Sequence, residues 1–353
     1  MSDHVVINEI DVFDDAAMNA GFEVARASHL AEEPTDPFIT APEVIARARA
    51  TDRAMSSDYW VLMVDGLPAG AAQLELYLRD NPELAEVDVA IAPEHQGRGL
   101  GRLLLEHVLG AVAGAGRHQV ILAANQPADG STSRTMKFLA AAGASNALGE
   151  MRRFLDLRGL DAAELAHRRA QAESKAVGYE LVSWTGSCPE DLIEDYAALV
   201  ARMSTDAPVG DLSIEPEVWD AQRVRGQEAI IVAQGRTAYV MAARVGADGP
   251  LVAFTDAVVT RHDPVNAFQW NTLVLREHRG HRLGMLVKAA NLARLLSEAP
   301  AAQRLHTWNA LDNPHMVAIN EELGFRPAVV EGIWRLDLPV GGDEDHSGEH
   351  PRL

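Results

Sequence analysis

A turn rich in glycine and arginine is written twice in this chain. Glu94-His95-Gln96-Gly97-Arg98-Gly99-Leu100-Gly101 returns, altered, as Glu277-His278-Arg279-Gly280-His281-Arg282-Leu283-Gly284, about half the chain apart. Each copy lies between an apolar strand-like run and a helix-like run. A turn of this composition that opens a helix leaves backbone N–H groups unpaired, and the helix dipole adds attraction for an anion. Two such turns in matching contexts predict two copies of one phosphate-cradling domain.

The surrounding pattern repeats as well. Two helical patterns fill residues 14–52, the second starting near Pro42. Strand-like runs follow at Tyr59–Val64, Ala69–Leu78 and Glu86–Ala92, with Asp65-Gly66 as a hairpin signal between the first two. After the turn, Leu100, Leu103, Leu104, Val108 and Ala111 make an apolar helical stripe. A strand (Gln119–Ala124), a helix (Ser133–Ala142) ended by Gly143 and a strand (Met151–Leu157) complete the half. Residues 158–177, charged and alanine-rich, read as a linking helix. The second half predicts a strand at Tyr179–Trp184 and helices at Pro189–Met203 and Pro216–Gln227. Strands then follow at Ala229–Ala233, Ala238–Val245, Val252–Val259 and Gln269–Leu275. A helix from Leu283, a strand (Arg304–Trp308), a helix (Met316–Leu323) and a strand (Gly332–Leu338) close it. The expected organisation is therefore one α/β (α+β) domain at 1–157, a linker at 158–177, a second domain at 178–340 and a disordered polar tail at 341–353.

Composition narrows the partners. The formal charge of −20 repels nucleic acid and suits a cationic, amine-bearing partner. A single cysteine, Cys188, excludes an intramolecular disulfide framework. The N-terminus lacks a signal-peptide pattern, and no apolar stretch approaches the roughly 20 residues that span a bilayer. A soluble, cytoplasmic monomer or homodimer is expected, with no membrane and no nucleic acid among its partners.

With these residues in view, the chain resembles the GNAT superfamily of acyl-CoA-dependent N-acetyltransferases. That family's cofactor signature is Gln or Arg, two residues, Gly, one residue, then Gly or Ala. Gln96-Gly97-Arg98-Gly99-Leu100-Gly101 meets it in full, and Arg279-Gly280-His281-Arg282-Leu283-Gly284 meets it except that Arg282 replaces the middle glycine. A dinucleotide-binding GxGxxG reading is the alternative; it lacks the βαβ unit and the acidic ribose contact. The resemblance covers about residues 5–157 and 178–338 and implies two tandem domains, each a mixed, mostly antiparallel twisted sheet flanked by helices. It implies acetyl-CoA as cofactor, with Arg98 and Arg102 near its pyrophosphate. The pantetheine arm would pair like an added strand with Ile91 and Ala92, or with Val274 and Leu275. Asn309 and Asn313, in the fuller late motif of the second half, would contact pantetheine or acyl group, although Asn313 is equally well placed as a helix N-cap.

Acetyl transfer to an amine requires removal of a proton from an ammonium that dominates at pH 7. The family usually supplies a carboxylate on the strand before the turn. Glu86 and Asp88, at alternating positions, share one face of that strand, and Glu86 is the better match for the base. A half-buried glutamate is pushed toward neutral pKa, as a base requires. In the second half Gln269 and Asn271 stand opposite these two, and neither accepts a proton. Asp256 on the neighbouring strand is the remaining candidate there, with His262 and Asp263 weaker. The tyrosine the family often uses as acid is replaced by Leu139 and Asn320. Two-domain members of the mycothiol synthase type, whose C-terminal half works, are similar in outline and favour the second half as catalytic.

Asp206 and Asp211, on a loop expected to line an acceptor groove, are placed to hold an ammonium, and Trp270 and Trp308 to wall a pocket. His278 and His281 straddle a turn without a third ligand, so no metal is expected. Cys188 is remote from the turns, and direct attack of substrate on the thioester is the default. The expected activity is acetyl-CoA-dependent N-acetylation of a primary amine on a small, cationic molecule. A cysteinyl amino-sugar acceptor and a non-catalytic acyl-CoA sensor remain as alternatives.

Overall fold

The computed structural model describes residues 4–51, 54–127, 129–206 and 208–339. The first half runs β1 (Val5–Glu9), α1 (Asp15–Glu32), α2 (Ala41–Ala48), β2 (Met55–Val64), β3 (Leu67–Tyr77), β4 (Leu84–Ile91), α3 (Leu100–Gly114), β5 (Gln119–Gln126), α4 (Arg134–Ala141) and β6 (Ser145–Asp156). After α5 (Ala162–Glu173) the second half runs β7 (Tyr179–Thr185), α6 (Ile193–Ala201), a short α7 (Met203–Asp206), α8 (Ala221–Ala233), β8 (Arg236–Val245), β9 (Leu251–Thr260) and β10 (Asn266–Val274). It ends with α9 (Leu283–Glu298), β11 (Arg304–Ala310), α10 (Pro314–Leu323) and β12 (Arg326–Asp337). The tail expected at 341–353 lies outside the described residues.

Local chemistry sets the ends of these elements. Asp14 caps α1 by accepting the N–H groups of Ala16 and Ala17 at 2.9 and 3.1 Å. Thr40 and Glu43 start α2 with a capping box, the Glu43 carboxylate accepting the Thr40 N–H at 3.0 Å. Expectations fail around α8, which begins at Ala221 rather than at Pro216. Ala229–Ala233, read as a strand from its β-branched run, is the last turn of α8, where Ile230 and Ile231 continue a buried stripe begun by Val224. A short apolar run fits either period, and the packing of α8 against β8 decides for the helix.

The twelve described strands form one continuous sheet in the order β1-β2-β3-β4-β5-β12-β6-β11-β10-β9-β8-β7. It is mostly antiparallel, with parallel pairing in β4–β5 and β10–β11. The last strand of each half joins the other half. β12 pairs with β5 from Val330↔Gln126 to Asp337↔Gln119, and β6 pairs with β11 from Arg304↔Asp156 to Ala310↔Glu150. β12 and β6 also pair with each other across the middle of the sheet. The chain divides near residue 157, but its hydrogen-bonded sheet does not.

Helices cover both faces. On one, α3 packs through Leu104, Leu105, Val108 and Val112 on the first half, and α9 on the second. α5 is more than a spacer: its Leu165 and Ala172 join the core around α9, which buries α9 on sides that α3 leaves exposed. On the other face α1 and α2 cover the first half and α6 and α8 the second. The halves touch here too. Arg236 of β8 donates to Glu43 of α2 at 2.7 Å, and Glu43 is 1% exposed. The segment between α7 and α8 crosses onto the first half, where Glu215 N–H donates to Asn81 at 2.6 Å and Val218 N–H to Asp80 at 3.1 Å. No helix among the described residues is long and apolar enough to cross a membrane.

If the exchanged strands bind the halves into one unit, calorimetry of the full chain shows a single unfolding transition. A chain ending at Phe325, cut entirely within the second half, then loses amide hydrogen-exchange protection in β5 of the first. Retained protection in β5 would show that the halves are independent.

Candidate active site

A wedge opens in each half where parallel strands part. β4 and β5 pair from Leu84↔Gln119 to Glu86↔Ile121 and then separate, while β5 stays held by β12. β10 and β11 likewise separate after Gln269↔Thr307. On the open edge of β4, backbone groups alternate in direction. Ala92 N–H donates to Ala69 on β3 at 2.9 Å, so Val89 and Ile91 face the wedge. Of the two residues expected to pair with an extended ligand, Ile91 therefore faces the opening and Ala92 faces β3. Gln96 steadies this edge, its side-chain N–H donating to Ile91 O at 3.0 Å. The second half repeats the device: Arg279 donates to Val274 O at 3.2 Å, and Leu275 N–H is taken by Val252.

The two turns differ in what surrounds them. In the first, Gly97 and Gly99 are exposed at φ 78° and 82°, and a Cβ built on either meets nothing within 4 Å. Open space thus lies over a bare backbone at the start of α3, beside exposed Arg98 and Arg102. Leu100 turns inward to the core, and Gly101 sits against Ile91 and Phe138. Arg98 contacts His95 Nδ1 at 2.7 Å. In the second turn Gly280 keeps φ 88°, but Arg282 occupies the left-handed conformation at φ 59°, which costs a side-chain-bearing residue about 1–2 kcal/mol. Its guanidinium is bound to Glu322 at 2.6 Å, and Arg279 to Asp206 at 3.1 Å. Asp206 also faces Arg276 at 3.5 Å and Arg202 at 3.4 Å. The ring of His281 lies 5.3 Å from that of Tyr179, whose hydroxyl bonds His278 at 2.9 Å. Leu283 and Gly284 are buried at the start of α9. Asp206, expected to hold a substrate ammonium, instead neutralises this turn, and Asp211 donates its N–H to Ala147 on the first half.

Glu86 and Asp88 do share a face, the one covered by α1 and α2. Strand register sets them in two rows, Ser57–Glu75–Glu86 and Tyr59–Gln73–Asp88, across β2, β3 and β4. The Glu86 carboxylate accepts a short hydrogen bond from the Tyr77 hydroxyl. Burial, with the charges of Glu75 and Asp88 behind it, pushes Glu86 up to about 7, although the Tyr77 bond pulls the other way. The surrounding protein and the charge of Glu75 raise Asp88 as well, although Asp88 is exposed within its cavity. Asp88 lines a cavity of about 390 Å³ that opens at the wedge beside Ala90, Ala123 and Asn125. Solvent enters this cavity, yet protein surrounds it. A second cavity of about 380 Å³ joins Glu86, Tyr77 and Asp88.

The second half has lost this arrangement through one residue. β10 carries a bulge between Gln269 and Thr272, so that Trp270 and Asn271 both oppose Asp256. Before the bulge every side chain changes face. Gln269, opposite Glu86 in sequence, points to the α9 side and donates to Asp256 O at 3.1 Å, while Trp270 faces the cavity side. Asp256 accepts the Asn271 N–H at 2.6 Å and its side-chain N–H at 3.1 Å, satisfying the bulge. Burial lifts Asp256 to about 6 against those bonds. Asn309 is bonded to the fully buried Asn320, and Asn313 caps α10 by accepting Met316 N–H at 3.2 Å. Leu139 is part of the core.

A sequence model of the acetyltransferase (GNAT) family matches residues 22–136. A tandem GNAT protein from the clavulanic acid biosynthesis pathway, determined without acetyl-CoA, superposes with a TM-score of 0.78 at 27% identity, over 97% of this chain and 100% of that one. Residues 22–136 thus carry a GNAT-family domain, and the chain as a whole is built like that tandem two-domain GNAT protein. A GCN5-related N-acetyltransferase from Sphaerobacter thermophilus shares the fold at 13% identity and a TM-score of 0.63, covering 94% of this chain and 95% of that one. No curated protein matches the chain significantly.

Several cavity residues stand outside the sequence motifs. Tyr77 follows from the β3–β4 register alone. Tyr59, two strands from Asp88, is 7% exposed, and burial raises it to about 12. Glu331 and Arg152 arrive on the exchanged strands β12 and β6, which no local signal announces. Arg152 lies 2.7 Å from Asp36, whose other oxygen faces His29 at 2.9 Å. Of the tryptophans expected at a pocket, Trp308 walls the Asp88 cavity, and Trp270 a cavity shared with Asp256. Cys188 is buried, and burial raises it to about 12, far from a thiolate. Among the described residues no group of His, Cys, Asp and Glu is arranged for a metal ion.

The raised Glu86 has a stability consequence. The folded protein binds that proton more tightly than the unfolded chain, whose value is near 4.5. Glu86 therefore costs nothing at low pH and destabilises progressively as pH rises from about 4.5 to about 7. Glu86→Gln, which still accepts from Tyr77, is expected to gain on the order of 1–3 kcal/mol over wild type above pH 7 and little near pH 4. Denaturant titrations across that range check it; a gain independent of pH would contradict the assignment.

Proposed function

We propose that the first half binds acetyl-CoA and acetylates a primary amine on a small, cationic molecule, and that the second half serves as scaffold. One observation carries this reading: an open, glycine-lined turn, a wedge edge and a carboxylate held near neutral pKa stand together in the first half. In the second half Arg279 and Arg282, which stand where the first turn has Gln96 and Gly99, are engaged by Asp206 and Glu322, a tryptophan faces the cavity, and Asp256 is occupied with a bulge.

The residues present fit the cofactor. Gly97, Gly99 and the unpaired N–H groups at the start of α3 offer a pyrophosphate converging donors without side-chain bulk, with Arg98 and Arg102 adding positive charge. The β4 edge at Val89 and Ile91 offers a pantetheine amide the pairing of an added strand. Bound acetyl-CoA supplies an acetyl thioester at the cavity. Glu86 takes the proton from the acceptor ammonium, directly or through water, and Tyr77 holds its carboxylate in place. Asp88, nearer the wedge, attracts the ammonium before transfer. The charges around the two turns support this reading over the second-half lean suggested by other two-domain members.

Two measurements test the reading. With an amine that is turned over, kcat/KM is expected to rise with pH to a plateau above about 7, the value of Glu86. Glu86→Gln is expected to lower the rate about a hundredfold or more with acetyl-CoA affinity retained; unimpaired turnover would remove Glu86 as base. Calorimetry is expected to find one acetyl-CoA per chain, weakened by Gly99→Val and indifferent to Arg282→Ala. Two equivalents would restore the second half as a cofactor site.

A further inference from the structure

Three carboxylates from the two halves meet in one place. Glu86 and Asp88 of β4 and Glu331 of β12 line the same cavity of about 380 Å³, and Asp88 and Glu331 share the neighbouring one of about 390 Å³. Three other acids around these cavities have cationic partners, Glu75 facing Arg47 at 3.8 Å, Asp36 facing Arg152 at 2.7 Å and Glu217 facing Arg223 at 3.8 Å, while Glu32 accepts from the Thr135 hydroxyl at 2.7 Å. Glu86 is met by the Tyr77 hydroxyl and Glu331 by the Trp308 side chain, both neutral, and no ion pair joins any of the three among the described residues. Register sets Glu331 directly opposite Glu150 on β6, so like charges are stacked rather than dispersed. Burial and those neighbours lift Glu331 to about 7.

A second observation points to a ligand. Tyr59 is 7% exposed, and its buried hydroxyl has no hydrogen-bond partner among the described residues. It stands in the row Tyr59–Gln73–Asp88 and lines the cavity that Asp88 shares with Glu331. A buried polar group left unpaired is costly, and a nitrogen ligand in that cavity would satisfy it. The floor between the acids is apolar: Ala123 and Ile333 are register partners across β5 and β12. An ammonium at each end and methylenes between them match that surface.

We propose that the acceptor is a short aliphatic diamine, whose reacting nitrogen lies at Glu86 and Asp88 and whose second ammonium is held by Glu331 against the indole of Trp308. This rests on the acetyl-transfer reading of the first half. The reacting nitrogen forms a bond to the acetyl carbon as the carbon–sulfur bond breaks. Of the two protons that the ammonium gives up, one passes to Glu86 and then to solvent, and one ends on the departing sulfur. The distal ammonium is unchanged, so the product is the monoacetylated diamine. Glu331 thereby makes the second half a determinant of specificity at the first half's site.

The test compares α,ω-diaminoalkanes of three to six carbons with amino alcohols of equal length, by release of free CoA. The diamine is expected to exceed its amino alcohol in kcat/KM by at least tenfold. In Glu331→Gln, which keeps the size of the side chain, that ratio is expected to fall toward one through KM, and Glu331→Asp to restore part of it. Equal kcat/KM for the pair in wild type, or an unchanged ratio in Glu331→Gln, overturns the diamine assignment and leaves acetyl transfer standing. Turnover of neither series, with no acetyl-CoA binding, would sink both. Should Glu331→Gln fail to fold, thermal shift of the wild type decides: 1,4-diaminobutane with CoA raises Tm if the assignment holds, and 4-aminobutanol matches it if not.

Discussion

The insertion of β12 between β5 and β6 is the contact on which the rest of the molecule depends. A strand that leaves its parallel neighbour, as β5 leaves β4 after Ile121, exposes unpaired backbone unless its other edge is held. β12 holds it along eight residue pairs, from Val330↔Gln126 to Asp337↔Gln119. The wedge is thus stable because a strand from the far end of the chain closes the opposite side. The reciprocal placement of β6 beside β11 does the same for the second half. Among the described strands, exchange also leaves only β1 and β7 as edges of a single large sheet.

Because the halves share strands, they are free to diverge in chemistry while remaining mutually required in structure. The first keeps a bare turn and a near-neutral carboxylate. The second accumulates charges that cancel its turn, and a bulge that rotates Gln269 away from the cavity. That bulge illustrates how little is needed: one extra residue reverses the facing of all that precede it, since side chains alternate with a period of two. The buried polar groups left behind are reorganised into a closed network around Asp256 and Asn271.

Much of this was readable from residues alone. The duplicated turn, the order of helices and strands, and the shared face of Glu86 and Asp88 all rest on local periods and local hydrogen bonding. Asn313 as helix cap was equally legible, because capping involves residues three apart. The misread segment at Ala229–Ala233 was too short for period to discriminate. Asp206 looked like a loop acid facing substrate; only proximity to Arg279, brought by a different strand, turned it into an internal counter-ion.

The sequence by itself determined that this chain has two related α/β halves and which turn is richer in glycine, since those properties reside in neighbouring residues. Tertiary structure decided how the surroundings of the two turns differ and which residues meet beside the wedge. Tyr77, Tyr59, Arg152 and Glu331 converge on Glu86 and Asp88 through strand register and strand exchange. Those pairings join residues far apart in the chain, and their energy comes from a continuous backbone ladder that carries little trace in side-chain identity.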